Sequence, residues 1–181
     1  MAFVGRTTAT RGALIRLRDT LEFIRNGRDI LKMKRDRLAG DLNSLLGQMN
    51  RREELEKQLA AVYADLKAAL AAKGYQTVSS IALSVPKIMT DVLPISIMGV
   101  VVPKITIKKK PRIDSIRDLS IYGVAENLEK SIPDLFEVAQ IEANIERIAY
   151  ELMMINRKVN ALDKVVIPAY EEHIRYIEDL L

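Results

Sequence analysis

LIRLRDTLEFIRNGRDILKMKRDRLAGDLNSLLGQM, residues 14–49, is the stretch that decides the fold. Stepping alternately by three and four residues from Leu14 meets Leu17, Leu21, Ile24, Arg28, Leu31, Arg35, Leu38, Leu42, Leu45 and Met49. The same step continues through Arg52, Glu56, Leu59, Tyr63 and Leu66 to Leu70, and 13 of the 17 positions are apolar. A hydrophobic period of 3.5 keeps one stripe of a helix against a partner, so this pattern predicts a long helix in a left-handed coiled coil. Thr10 is suited to cap its start and Gly74 to end it. The expected helix covers 10–74, behind a short N-terminal arm at 1–9.

A second seam runs from Val138 through Ile141, Ile145, Ile148, Leu152, Ile155, Val159, Leu162, Val166, Ala169, His173, Tyr176 and Leu180. Twelve of these 13 positions are apolar, and His173 reads as a polar seam residue that sets register. Ser131, Pro133 and Asp134 have the chemistry of a helix start, so a second coiled-coil helix is expected over 131–181. Pro168 lies deep inside it and predicts a bend near 164–168, because proline cannot donate to the carbonyl four residues back. Gly27, Gly40 and Gly47 fall off the first seam, which fits either close approach of another subunit or drift on an exposed face.

Between the helices the period changes to two. Ile95 and Ile97, then Ile105 and Ile107, alternate with Ser96, Thr106 and Lys108, with Gly99 and Pro103 as punctuation. A short β-hairpin is therefore expected around 93–108, within an insertion at 75–130 that ends in a short helical link. Lys108, Lys109 and Lys110 form a basic run that reads as a solvated strand end or, alternatively, as a docking site for an acidic partner.

The fold class predicted is mainly α: a long antiparallel two-helix coiled-coil hairpin with a short β-hairpin insertion between the helices. Charge supports intrachain pairing. Residues 1–52 hold 12 basic and 5 acidic side chains, whereas 113–181 hold 7 and 14, so the two helices attract each other. Placing Leu70 opposite Val138 puts Leu181 opposite Gly27. That register leaves Leu14, Leu17, Leu21 and Ile24 without an intrachain partner, and the expectation drawn from it is that another subunit buries them.

Composition narrows the function. The chain has 181 residues, 29% of them charged and 5% aromatic, with no cysteine and one histidine. Neither a thiol nucleophile nor a cysteine zinc site can be built, and there is no phosphate-binding glycine loop, so a non-catalytic protein without cofactor or metal is expected. The longest apolar run, 92–103, contains Pro94, Gly99 and Pro103 and is too short to span a bilayer. Arg6 and Arg11 precede any apolar run of signal-peptide length. The basic residues around Lys32 to Arg37 lack interleaved aromatics, which argues against nucleic-acid binding.

INRKVNALDKVVIPAYEEHIRYIEDLL, residues 155–181, resembles the C-terminal helix of the D subunits of vacuolar and archaeal rotary ATPases. The resemblance is carried by Arg157, Val159, Asn160, Ala161 and Leu162 and by the Val166, Ile167, Pro168 step. Residues 10–38, with Arg18, Gly27, Leu31, Lys34, Arg35 and Asp36, are similar to that family's first helix, and the order of elements agrees along the chain. The resemblance implies the central rotor shaft of an A/V-type ATP synthase or ATPase, on the cytoplasmic side of the membrane and peripheral to it. It implies as partners the hexamer of catalytic and non-catalytic subunits (A and B), the small F-subunit, which clasps the coiled coil, and a funnel-shaped subunit on the membrane ring. ATP would be handled by the hexamer, and no small-molecule ligand is expected here. Arg11, Leu14, Arg16, Leu17, Arg18, Tyr176 and Leu180 are the candidates for contact with the hexamer bore. Family members commonly continue past this point with a charged tail, so contacts through such a tail are not expected from these residues. The alternative reading is a prefoldin-type chaperone, another coiled-coil hairpin bearing β-strands.

Overall fold

The computed structural model describes residues 9–181, so the expected arm at 1–9 lies almost wholly outside the described residues. The elements in order are α1 (Arg11–Gly47), α2 (Asn50–Lys73), α3 (Tyr75–Ser84), β1 (Met89–Ile97), β2 (Val100–Lys109) and α4 (Leu119–Ala161). A π-helical turn (Leu162–Val166) and α5 (Ile167–Leu180) follow. The fold class is the expected one, with antiparallel helices and a two-stranded sheet inserted between them in sequence. The described residues divide into two compact units, one formed by 9–42 with Ile148–Leu181 and the other by Asn43–Arg147.

In the first unit α1 pairs antiparallel with the end of α4, the π turn and α5. Thr10 caps α1 by accepting from the Ala13 N–H (3.2 Å). Leu21, Ile167 and Ile174 form a buried cluster, and Leu14, Leu17, Ile24 and Tyr170 pack against it. This corrects the register drawn from sequence: the apolar start of helix one is not left for another subunit but is largely used within the chain. Arg18 to Glu178 and Arg25 to Glu171, each at 2.6 Å, mark the actual alignment.

The register differs because the second helix starts earlier than Ser131. Its N-cap is Asp118, whose carboxylate accepts from the Ser120 N–H (3.1 Å) and the Ile121 N–H (3.4 Å). Ser131 instead lies inside α4, buried, and donates its hydroxyl to the Asn127 carbonyl at 3.0 Å. Pro133 is accommodated within the same helix.

Both long helices contain one irregularity, and each moves the seam by one residue. In the second unit α1 gives way to α2 across Gly47 to Met49, where Gln48, Met49, Arg51 and Arg52 donate to carbonyls three residues back. A three-residue turn rotates the chain faster than an α-turn, so the inward position arrives one residue early. Leu55, Val62 and Ala69 are the buried residues, not the Glu56, Tyr63 and Leu70 reached by strict heptad counting. In the first unit the π turn does the opposite. The Ile167 N–H reaches back five residues to Leu162, rotation slows, and the seam arrives one residue late. Ile167, Ile174 and Ile177 are buried, whereas Tyr176 is exposed and His173 is half-buried, its ring stacked on Tyr176. His173 is therefore not the seam residue, and the disturbance expected from Pro168 takes the form of this π turn.

The second unit also carries the hairpin. Met98 and Gly99, both at positive φ, make a two-residue turn closing the Ile97–Val100 pair. Pro94 and Pro103 face each other at a pair whose N–H groups point away from the ladder, which is why two prolines are tolerated mid-hairpin. The outer edge of β2 is satisfied by α4: the Ile105 N–H donates to Gln140 Oε1 (2.7 Å). The Asn144 amide, with its nitrogen turned inward, donates to the Pro103 carbonyl (3.2 Å).

Candidate interaction surfaces

The helix pairs are laced by ion pairs in the sense the charge blocks imply, basic from helix one and acidic from helix two. In the first unit these are Arg18–Glu178, Arg25–Glu171, Arg28–Asp163, Lys32–Asp163 and Lys34–Glu151. In the second they are Arg51–Glu137, Arg52–Glu142 and Lys73–Asp118. Most are exposed and screened by solvent, so each adds little net stability and their chief effect is on alignment.

Two carboxylates are held below their ordinary range. Asp118 is lowered most by Lys73 and then by the Ser120 hydroxyl, with the helix-cap N–H groups assisting. Asp163 is lowered by Lys32 and, against the opposing effect of partial burial, by Arg28. Carboxylates depressed in the folded state contribute stability that is complete above their unfolded pKa and lost as pH falls toward the folded value. The thermal midpoint should therefore be flat from about pH 7 to about pH 5 and fall below about pH 4. Circular-dichroism melts at those pH values should show a shallower acid decline in Asp118→Asn.

Of the candidates for hexamer contact, Arg11, Arg16, Tyr176 and Leu180 are exposed, Arg18 is engaged with Glu178, and Leu14 and Leu17 are half-buried against the intrachain cluster. Among the residues that carry the family resemblance, Lys34 pairs with Glu151 and Arg35 with its neighbour Asp36. Arg157, Asn160, Ala161 and Pro168 are exposed, Leu162 and Val166 half-buried, and Ile167 buried. A Cβ at Gly27, Gly40 or Gly47 would meet nothing within 4 Å, so no intrachain neighbour requires glycine there.

Lys108 is paired with Asp91, so it is not free in the way its neighbours are. Lys109 and Lys110 line an open cleft together with Lys87 and Arg112, with Asp114 and Glu129 as the acidic residues on its wall. That cleft shares Pro111, Ile113 and Glu129 with an apolar groove of about 380 Å³, which is lined by residues including Leu59, Leu66, Ile81 and Val124.

A second surface escapes sequence reading along the seam. Ile15, Phe23, Ile30 and Met33 are all exposed on α1, Phe23 at 78%, on the side away from the seam. A search for a second apolar stripe at helical spacing finds it, whereas counting only along the first seam passes over it. No group of acidic or histidine side chains among the described residues is placed to hold a metal ion. No helix among them is long and apolar enough to cross a membrane.

Comparison with known proteins agrees with this architecture. The statistical model of the family described as the D-subunit of ATP synthase matches residues 13–181. The A-type ATP synthase D-subunit of Methanosphaera stadtmanae is 34% identical over 93% of this chain and 83% of its own. The A-type D-subunit of Archaeoglobus fulgidus is 34% identical over 93% and 85%. The V-type ATP synthase D-subunit of Deinococcus radiodurans is 32% identical over 98% and 82%.

Proposed function

Since this chain belongs to the ATP synthase D-subunit family, we propose that it is the central rotor shaft of an A/V-type ATP synthase or ATPase. It transmits torque between the catalytic hexamer and the membrane rotor ring during ion translocation. The observation that carries this reading is the family match over nearly the whole chain, joined to an antiparallel hairpin that keeps large apolar side chains on its outward face. A chaperone of prefoldin type would not be expected to match this family.

In this role the chain is non-catalytic, and nucleotide chemistry occurs on the hexamer of A and B subunits. The first unit, with Arg11, Arg16, Arg18, Tyr176 and Leu180, enters the hexamer bore. The second unit meets the F-subunit and the funnel-shaped subunit, with the cleft of Lys109 and Lys110 as a docking point for acidic groups. The chain is then peripheral to the membrane, on its cytoplasmic side, as part of the bound complex.

Co-expression with the A, B and F subunits tests this. The expected result is a stable complex whose ATPase turnover differs from that of the hexamer without this chain. A chain that elutes alone while the hexamer and the F-subunit assemble normally would refute the rotor assignment.

A further inference from the structure

The second helix carries two apolar phases one residue apart, and only one of them is used. Val166, Ala169, Tyr176 and Leu180 would make a serviceable seam, as would Ile167, Tyr170, Ile174 and Ile177, which actually face α1. Hydrophobicity alone separates these alternatives weakly, so a feature that penalises the wrong one is needed.

Such a feature lies at the π turn. Asp163 falls four residues after buried Val159 and four before buried Ile167. On α1, Arg28 occupies the seam step between Ile24 and Leu31, with Lys32 one turn further on. Asp163 accepts from Arg28 at 3.1 Å and pairs with Lys32 at 2.9 Å, and Arg28 is also held by Asp29 at 2.9 Å. The Arg28 side chain is 23% exposed and that of Asp163 29%, so this charged layer sits within the seam, where Arg35 is the other charged step of α1 in this unit.

We propose that the Arg28–Asp163–Lys32 layer is the pin that fixes the phase and register of this helix pair, and with it the outward face of α5. Half-buried ion pairs add little net stability, but breaking this layer leaves charge behind at the seam: turning the helix so that Leu162 and Val166 face α1 carries Asp163 off the seam, takes Lys32 from its carboxylate and leaves Arg28, held by Asp29 alone, against Leu162. The pin selects the phase in which Tyr176 and Leu180 face outward. Asp163, Arg28 and Lys32 act as positioning residues, and this role does not depend on the rotor assignment.

The natural absence of cysteine allows a direct test. In the full chain, a Leu21→Cys/Ile174→Cys pair reports the observed phase and a Leu21→Cys/His173→Cys pair the alternative. With Asp163 intact, the first pair should cross-link under mild oxidation about tenfold faster than the second. With Asp163→Asn, which keeps shape and removes charge, that preference should collapse toward parity while helicity by circular dichroism is retained. Asp163→Ala, which removes the charge without adding a large apolar side chain to the seam, should give the same trend and decides the matter if the asparagine variant loses helicity. An unchanged preference in the folded variants would overturn the proposal.

Discussion

Ile177→Ala is expected to destabilise the first unit by about 3 kcal/mol, whereas Tyr176→Ala is expected to cost no more than about 0.5 kcal/mol. Ile177 is 0% exposed, so its truncation removes fully buried apolar area and leaves a cavity in the seam. Tyr176 is 60% exposed and loses mainly its contact with the His173 ring. Uninterrupted heptad counting from Val138 reverses the order, because it places Tyr176 inside. Thermal melts of the two variants, with hydrogen exchange of α5 to localise the change, distinguish the two seams. A larger loss at Tyr176 would mean that the π turn does not carry the one-residue shift.

That contrast shows where the sequence is legible and where it is not. The seam of α1 from Leu14 to Leu42, and that of α4 from Val138 to Val159, are readable because an unbroken helix has a fixed rotation per residue, so spacing alone locates the inward face. Past Gln48 and past Leu162 the local hydrogen-bond span changes from four residues to three or five, and the inward face moves by one. Nothing in composition announces such a turn, although Pro168 marks the neighbourhood of the second. The start of helix two is hard to read for a related reason. Ser131 and Pro133 have the chemistry of a cap, but Asp118 is the residue whose carboxylate meets free N–H groups, and α4 carries Pro133 within it.

The candidate surfaces divide in the same way. Charge complementarity between the helices can be counted directly, and the ion pairs follow it. The Lys108 to Lys110 run is visible as a run, but not that Asp91 on the facing strand engages Lys108, leaving Lys109 and Lys110 beside Lys87 and Arg112. That grouping arises because hairpin pairing returns Lys109 to the level of Met89, close to the loop that holds Lys87. The linear sequence holds these residues far apart, and only the strand register joins them.

Phe23→Asp is expected to leave helical content and melting temperature nearly unchanged while weakening association with the A and B hexamer by at least about 30-fold, on the order of 2 kcal/mol. The folded chain gains little from Phe23, which is 78% exposed, so removing the ring costs little intrachain packing. A complex that buries it loses an aromatic anchor and must desolvate a carboxylate beside Ile30 and Met33. Exposed apolar stripes of this size on a helix mark interaction surfaces, and in the proposed placement this one lies on the unit that enters the bore. A titration of labelled chain against purified hexamer reads the affinity, and ATPase turnover of the reconstituted complex reads coupling. If the variant binds and couples like the parent, the hexamer does not cover this face, and contact falls instead to Arg11, Arg16, Tyr176 and Leu180. Charge reversal at Arg16 would then produce the larger loss, with a salt dependence that the Phe23 contact lacks.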